Sequence, residues 1–202
     1  MDGWWTVSYV ILWIIVVMLV ILVVALARQI GTLHLRVGPR GALEIDDEGP
    51  QIGDAPERAE LHDVTGAPVD IGGPGQAQLL LWVSPGCHVC EQVLPSVPVI
   101  AARGRLTPYV LTDVDEHESK RSYGARELKA PIVPARFLAQ TYGVPGTPYV
   151  IVLDDLGIVR AKGTVNNLEQ MEGLIDSAER RVAEARAAIQ AGIQEKGDAL
   201  GA

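Results

Sequence analysis

The apolar positions of this chain are concentrated near its amino terminus. From Trp4 to Ala27 every residue is apolar or aromatic except one Thr and one Ser. As a helix, this stretch rises about 36 Å, enough to cross a bilayer core of about 30 Å. We therefore expect a single transmembrane helix over residues 1–28. The glycines and prolines that follow predict a linker over residues 29–50.

A cleavable signal peptide is the competing interpretation of this apolar run. Such a peptide carries a basic segment, a short apolar core and a small-residue cleavage site. Here Asp2 is the only charged residue ahead of the run, and Ala25-Leu26-Ala27 is a poor cleavage site. The length and the flanks of the run favour an uncleaved anchor.

Basic residues next to the run bear on its orientation. Arg28, Arg36 and Arg40 follow the run, and no Lys or Arg precedes it. Because Lys and Arg are enriched in cytoplasmic flanks, this count taken alone favours a cytoplasmic carboxyl-terminal domain.

Beyond the linker, short apolar runs predict strands, and apolar spacings of three and four predict helices. The predicted strands are a hairpin within 59–71, then 79–84, 108–112, 149–153 and 158–161. The predicted helices are 89–103 with bends at Pro95 and Pro98, 116–130, 135–142, and a last helix capped by Asn166 or Asn167.

This order predicts an α/β fold over residues 51–178. A parallel strand–helix–strand unit followed by an antiparallel pair gives a mixed sheet flanked by helices. Residues 179–202 are rich in Ala and charged residues, which predicts a helical extension that frays after Gly197.

Charge and cysteine content narrow the range of functions. The formal net charge is -8, which argues against nucleic acid as a partner because phosphate binding needs a basic face. The 2 cysteines lie three positions apart. This excludes a four-cysteine zinc site and indicates local chemistry rather than a disulfide scaffold.

Cys87 and Cys90 lie where strand 79–84 ends and a helix begins. Unpaired N–H groups and the helix dipole favour an anion at a helix amino terminus, so we expect Cys87 to react as a thiolate. Cys90, one turn later, would resolve a mixed disulfide. The pattern predicts thiol–disulfide exchange at Cys87 and Cys90, with their own disulfide as the redox group and no other cofactor.

Two alternatives for the cysteine pair remain. A purely structural disulfide would close a very short loop with little entropic gain. Half of a metal site would need a histidine such as His62, His88 or His117, but the sequence lacks the additional Cys or spaced His pair usual for zinc. We therefore predict no metal.

His88 lies between the two cysteines. As an imidazolium it would stabilise the neighbouring Cys87 thiolate and make the disulfide more oxidising. The alternative is an exposed polar residue without a role.

Thr147 and Pro148 directly precede strand 149–153. A cis Thr-Pro bond is accessible at modest cost, and it would direct the Thr147 backbone at the sulfurs. There its N–H and C=O could pair with an extended substrate. A trans proline that merely starts the strand is the alternative.

These segments together resemble the thioredoxin fold. The resemblance rests on LLLWVS, the Cys87–Cys90 pair, and GTPYVIVLDDLGIVRAKG. In that family Pro95 matches the helix-bending proline and Pro148 the cis-proline that faces the disulfide. The opening IGDAPERAELHDVTGAPVDI is similar to the added hairpin of the TlpA and redoxin branch.

A narrower resemblance joins the chain to MauD-type methylamine utilization proteins. It is carried by ALARQIGTLHLRVGPRGALEIDDEGPQIGD, WVSPGCHVCEQVLP and YGVPGTPYVIVLDDLGIVRAKGTVNNLEQMEGLI. It implies an accessory factor that forms or corrects disulfides in the small subunit of methylamine dehydrogenase, with a further electron-transfer partner. It also implies a single-pass protein of the cell membrane whose catalytic domain is extracytoplasmic, against the arginine count.

Two departures from the thioredoxin pattern matter. Leu81 occupies the position of the buried acid of many thioredoxins, and His-Val separates the cysteines. Two other functions stay open: a TlpA- or ResA-like reductase for cytochrome c maturation, and a non-catalytic assembly platform for the dehydrogenase.

Overall fold

The computed structural model of the protein describes residues 3–36, 48–124 and 126–200. The chain divides into two compact units, residues 1–40 and 41–202. The predicted extension over 179–202 thus clusters with the sheet-bearing unit.

A single helix, α1 (Gly3–Arg36), forms the described part of the first unit. Its segment Gly3–Val23 has 21 residues and is apolar enough to cross a membrane, with a rise of about 32 Å. The helix continues past the predicted end at residue 28, so the linker prediction is wrong for residues 29–36. Gly31 lies in the helix interior, where glycine costs only about 1 kcal/mol. The predicted linker residues 37–47 lie outside the described part.

The second unit contains seven strands and five α-helices within its described residues. The strands are β1 (Ala59–His62), β2 (Pro68–Ile71), β3 (Gln78–Val83), β4 (Thr107–Thr112), β5 (Ile132–Pro134), β6 (Tyr149–Leu153) and β7 (Val159–Thr164). The helices are α2 (His88–Val93), α3 (Val97–Arg103), α4 (Glu116–Tyr123), α5 (Arg136–Thr141) and α6 (Leu168–Leu200), with a 3₁₀ turn, Leu94–Ser96, between α2 and α3.

The main sheet is mixed and has the order β5-β4-β3-β6-β7. β3, β4 and β5 are parallel, whereas β6 is antiparallel to both β3 and β7. β1 and β2 form a separate antiparallel hairpin. This confirms the predicted mixed sheet flanked by helices. Because β3 and β4 end where β6 begins, the segments that follow Val83 and Thr112 meet the segment that precedes Tyr149.

β3 is the central strand, and all six of its residues are buried. Leu79, Leu81 and Val83 pack in one core cluster, and Leu80 and Trp82 in another on the opposite face. Each fully buried leucine contributes about 1.5–3 kcal/mol relative to exposure. A continuous apolar run therefore forms a strand here because both of its faces are covered.

The structure differs from the predicted elements of this unit in three places. The helix predicted over 116–130 ends at Tyr123, where the Gly124 N–H closes the last turn on the Lys120 carbonyl. The short strand β5, which follows that loop, was not predicted. The last helix does not fray after Gly197 but continues to Leu200.

Candidate active site

A tight turn brings the two cysteines to the start of α2. β3 ends at Val83, and the Cys87 N–H donates to the Ser84 carbonyl at 3.2 Å. Cys87 is the N-cap of α2, and its Sγ accepts the Cys90 N–H at 3.1 Å. The sulfur of Cys87 therefore occupies the N-capping position, where a negative charge is stabilised.

Cys87 and Cys90 form a disulfide with their Cα atoms 5.2 Å apart. Cys87 is half-buried, whereas Cys90 is fully buried in the core cluster under α2. A nucleophile from solvent can therefore approach Cys87 but not Cys90, which leaves Cys90 as the leaving group.

The Thr147–Pro148 peptide bond is cis, as the sequence analysis predicted. The Thr147 carbonyl oxygen lies 3.9 Å from Cys87 Sγ. No hydrogen bond to the Thr147 N–H is found among the described residues. The fold thus brings the Thr147 backbone beside the reactive sulfur, with a main-chain donor available to another chain.

His88 occupies the first position of α2 and is exposed. Its Nε2 lies 3.1 Å from Nε2 of Gln92, one turn further along the helix. Its tuning of the Cys87 thiolate stays a prediction. His62 and His117 are also exposed. The side chain of His34 lies outside the described part.

A polar pair that the sequence pattern does not predict lies at the adjacent ends of β3 and β4. Ser84 Oγ donates to Oδ2 of Asp113 at 2.9 Å. The other oxygen of Asp113, Oδ1, is buried without a hydrogen-bond partner among the described residues. The adjacent ends of β3 and β4 create this pair, and only their register could have revealed it.

A second buried polar atom lies close to α2. The Tyr123 hydroxyl is buried without a partner in the described part, and Tyr123 packs in the same core cluster as Cys90. Burial, together with the charge of Glu91, raises the pKa of Tyr123 to about 12. The Tyr123 ring faces the Arg126 guanidinium, 5.2 Å from its centroid.

Arg126 joins α2 to the loop after α4. It makes a two-pronged ion pair with Glu91, the residue after Cys90, with one contact of 2.8 Å. The hydrogen bond to Glu91 raises the pKa of Arg126 above its usual value. This pair fixes the exposed side of the helix that carries the cysteines.

Within residues 3–36, 48–124 and 126–200, no three His, Cys, Asp or Glu side chains stand close enough to hold a metal ion. Leu81, at the position where many thioredoxins have a buried acid, is fully buried. The fold therefore places an apolar side chain where those proteins have a carboxylate. The chemistry that the site offers is that of the disulfide itself, a two-electron couple.

Solved structures share this fold. A pneumococcal exposed lipoprotein thioredoxin from Streptococcus pneumoniae superposes with a TM-score of 0.53 at 19% identity, covering 61% of this chain and 99% of that chain. The thioredoxin domain of a thiol-disulfide oxidoreductase from Bacteroides vulgatus gives 0.52 at 17% identity, covering 63% and 96%. At such identities the likeness establishes the thioredoxin-like fold alone.

Proteins that are similar in sequence identify the family, whereas the solved structures establish the fold alone. No family model matches the chain. The methylamine utilization protein MauD of Methylorubrum extorquens is 34% identical over 174 residues, which cover 84% of each chain. MauD of Paracoccus denitrificans is 34% identical and is covered over 86% of its length. With this identity along most of both chains, and a disulfide at a strand-to-helix junction of a thioredoxin-like sheet, the chain belongs to the MauD family of methylamine utilization proteins.

Proposed function

We propose that this protein is a membrane-anchored thiol–disulfide oxidoreductase that forms or isomerises disulfides in the small subunit of an amine dehydrogenase during its maturation. The observation that carries the proposal is the unequal burial of the disulfide, with Cys87 half-buried beside Thr147 and Cys90 fully buried. The names of the relatives supply the context of methylamine utilization.

In the oxidase direction, a client thiolate attacks Cys87 Sγ along the axis of the Cys87–Cys90 bond. A sulfur–sulfur bond forms between client and Cys87, and Cys90 leaves as a thiolate. A second client thiolate then attacks the client sulfur of the mixed disulfide and releases Cys87 as a thiolate. The client loses two electrons and gains a disulfide, and the enzyme holds both electrons as a dithiol.

A separate electron-transfer partner must then reoxidise the dithiol. In the isomerase direction that partner is not needed, because the Cys87 thiolate attacks a wrong client disulfide and is released once the client has rearranged. The N-capping position supports both directions, since it stabilises Cys87 as nucleophile and as leaving group. We include His88 in this proposal as a further source of positive charge.

Thr147 and Pro148 are the proposed binding site for the client backbone. The Thr147 N–H lacks a partner within the described residues, and the carbonyl lies next to Cys87 Sγ. An extended client segment that pairs with these groups would present its cysteine to Cys87. This is the strand-addition mode, in which main-chain bonds tolerate many client sequences.

We also propose that α1 holds the protein in the cell membrane as a single span, with the catalytic unit on the extracytoplasmic side. The support is the length of Gly3–Val23 and its exposed apolar surface. Redox compartment decides the side, because disulfides form and persist outside the reducing cytosol.

The direct test is trapping. Cys90→Ser should accumulate a mixed disulfide between Cys87 and the client in cells that express the dehydrogenase genes, because the resolving thiol is missing. The Cys87→Ser/Cys90→Ser double variant is the control and should trap nothing. Recovery of the dehydrogenase small subunit supports the proposal. Absence of any Cys87-linked protein would overturn it in favour of a non-catalytic platform.

The reduction potential of the Cys87–Cys90 pair distinguishes the proposed oxidase or isomerase role from a reductase role in cytochrome c maturation. A strongly reducing potential would contradict the oxidase or isomerase role, because the disulfide of such a pair does not accept electrons readily from client thiols and its dithiol reduces client disulfides instead.

A further inference from the structure

We propose that segment 48–50, with Tyr149 and Lys162 that bind it, positions the loop 143–148 that carries Thr147 and Pro148. The proposal rests on the proposed function, since this loop matters for turnover only if it binds the client. These residues do not contact the sulfurs. They act through the loop and are positioning residues.

Segment 48–50 is bonded to both ends of that loop. At the first end, the Gly49 N–H donates to the Gly143 carbonyl at 3.1 Å. At the second end, the Tyr149 hydroxyl donates to the Glu48 carbonyl at 3.0 Å. Tyr149 directly follows Pro148 and is only 1% exposed, so its ring is fixed by the core. The segment therefore ties the first residue of the loop to a ring that the core fixes at the other end, and loss of either bond would let the loop shift.

Lys162 holds the segment from the neighbouring strand. It lies in β7 opposite Ile151 of β6, and it is fully buried. Its Nζ donates to the same Glu48 carbonyl at 2.7 Å. A buried ammonium is costly unless acceptors satisfy its donors. If segment 48–50 moved away, the buried Lys162 ammonium would lose an acceptor. The cost of that loss holds the segment in place.

Gly49 permits the close approach of the segment to the ring. Its φ is +68°, and a Cβ on this residue would lie 2.5 Å from the Tyr149 hydroxyl oxygen. Gly53 makes a matched comparison, because its φ of +96° imposes a similar backbone strain while a Cβ there meets no atom within 4 Å. Substitution of the two glycines separates loss of the Tyr149 contact from strain alone.

The expected consequence is specific to large substrates. The Thr147 carbonyl oxygen lies 3.9 Å from Cys87 Sγ, and no covalent step of the exchange passes through it. A displaced loop changes how a peptide is held against Cys87, whereas a small dithiol needs access to the sulfur alone. Peptide and small-molecule reactions should therefore respond differently to changes in the segment.

The test uses the full-length protein in detergent micelles. One assay is steady-state oxidation of a model peptide with two cysteines, with excess oxidised glutathione to reoxidise the Cys87–Cys90 dithiol after each turnover, and the other is reduction of the Cys87–Cys90 disulfide by dithiothreitol. Tyr149→Phe removes one hydrogen bond, worth a factor of roughly three to ten. It should raise the peptide KM by that factor with little change in kcat, and Gly49→Ala should do the same or more. Gly53→Ala should match the unmodified chain in both assays.

Hydrogen exchange reads the loop without any substrate. In Tyr149→Phe, the amides of residues 143–147 should exchange faster, and those of β3 should not change. Unchanged exchange in the loop overturns the proposal, as does an unchanged KM in both Tyr149→Phe and Gly49→Ala. Equal losses with peptide and dithiothreitol also overturn it, because they indicate general distortion. If the unmodified chain fails to oxidise the peptide, the proposed function fails, while the exchange result still decides whether the segment positions the loop.

Discussion

The two ends of the main sheet differ in how fully their aspartate carboxylates are hydrogen-bonded. At the cysteine end, where β3 and β4 finish, Asp113 uses one oxygen for Ser84 and keeps the other buried without a partner in the described part. At the hairpin end, where β6 turns into β7, both oxygens of Asp154 are used. One accepts the N–H groups of Leu156 and Ile158, each at 2.9 Å, and the other accepts Arg160 Nε at 2.7 Å.

This contrast indicates that one end of the sheet contributes to stability and the other end to the reaction. Buried polar groups are normally satisfied, and exceptions tend to mark functional sites. At the hairpin end both oxygens of Asp154 are hydrogen-bonded, as is usual for a buried polar group, and these bonds stabilise the fold. The cysteine end departs from this usual pattern at Asp113 and Tyr123, next to the disulfide. Substitutions at the hairpin end should reduce the free energy of unfolding, whereas substitutions at the cysteine end should change the reaction or, where they remove a polar group without a partner, raise that free energy.

The largest expected effect is at Cys87. Cys87→Ser should abolish thiol–disulfide exchange, because the hydroxyl cannot replace the thiolate. The free energy of unfolding should change little, since the Cys87–Cys90 loop is too short for a large entropic contribution. Peptide oxidation and denaturant unfolding of the same preparation check this. Residual exchange in the variant would place the chemistry elsewhere.

Next in size is the loss of Asp154. Asp154→Ala leaves the largely buried Arg160 without its carboxylate and the N–H groups of Leu156 and Ile158 without their acceptor, which should lower the free energy of unfolding by about 3 kcal/mol. The exchange rate of the folded fraction should be unchanged. Asp155→Ala is the matched control, because its pair with Arg186 is exposed and should be worth less than about 1 kcal/mol. Equal effects of the two variants would contradict the contrast.

A smaller effect of opposite sign is expected at Tyr123. Tyr123→Phe removes a buried hydroxyl that lacks a partner among the described residues, and it should raise the free energy of unfolding by about 1 kcal/mol. Tyr142→Phe is the control, since its hydroxyl donates to the Glu57 carbonyl at 3.3 Å and its loss should destabilise. Thermal or urea unfolding distinguishes the two, and destabilisation by Tyr123→Phe would show that its hydroxyl has a bond after all.

The last predicted effect is on the free energy of unfolding at alkaline pH. Burial raises the pKa of Tyr142 to about 12, whereas an unfolded tyrosine titrates near pH 10. Above about pH 10 the unfolded chain therefore loses this proton first, and the stability that is complete below pH 10 falls as the pH approaches 12. Unfolding curves between pH 9 and 12 should show a shallower decline in Tyr142→Phe. An identical decline would exclude this tyrosine as a source.

Local pattern predicted much of the cysteine end. The apolar run before Cys87 and the helical spacing after it are properties of adjacent residues, so the strand, the helix and the capping cysteine could be read from the sequence. The residues around Pro148 left a cis and a trans bond open, and the resemblance to thioredoxins implied the cis bond that the structure shows. The predicted transmembrane helix follows from length and composition.

Contacts between distant segments could not be predicted in the same way. The bond from Ser84 to Asp113 depends on the β3–β4 register, and the bond from Lys162 to Glu48 joins residues that are 114 positions apart in the chain. β5 was missed because a three-residue strand leaves no periodicity. Helix 116–130 was predicted too long because polar helix-compatible residues continue past Gly124, where the backbone turns away.

The most direct measurement is a titration of the Cys87 thiol in the reduced, full-length Cys90→Ser protein, followed by the rate of alkylation against pH. An N-capping sulfur at the start of α2 predicts an apparent pKa well below about 8.5, the value of an unperturbed thiol. A value at or above about 8.5 would mean that the helix terminus does not hold Cys87 as a thiolate, and the account of this protein as a thiol–disulfide oxidoreductase acting through Cys87 would be wrong.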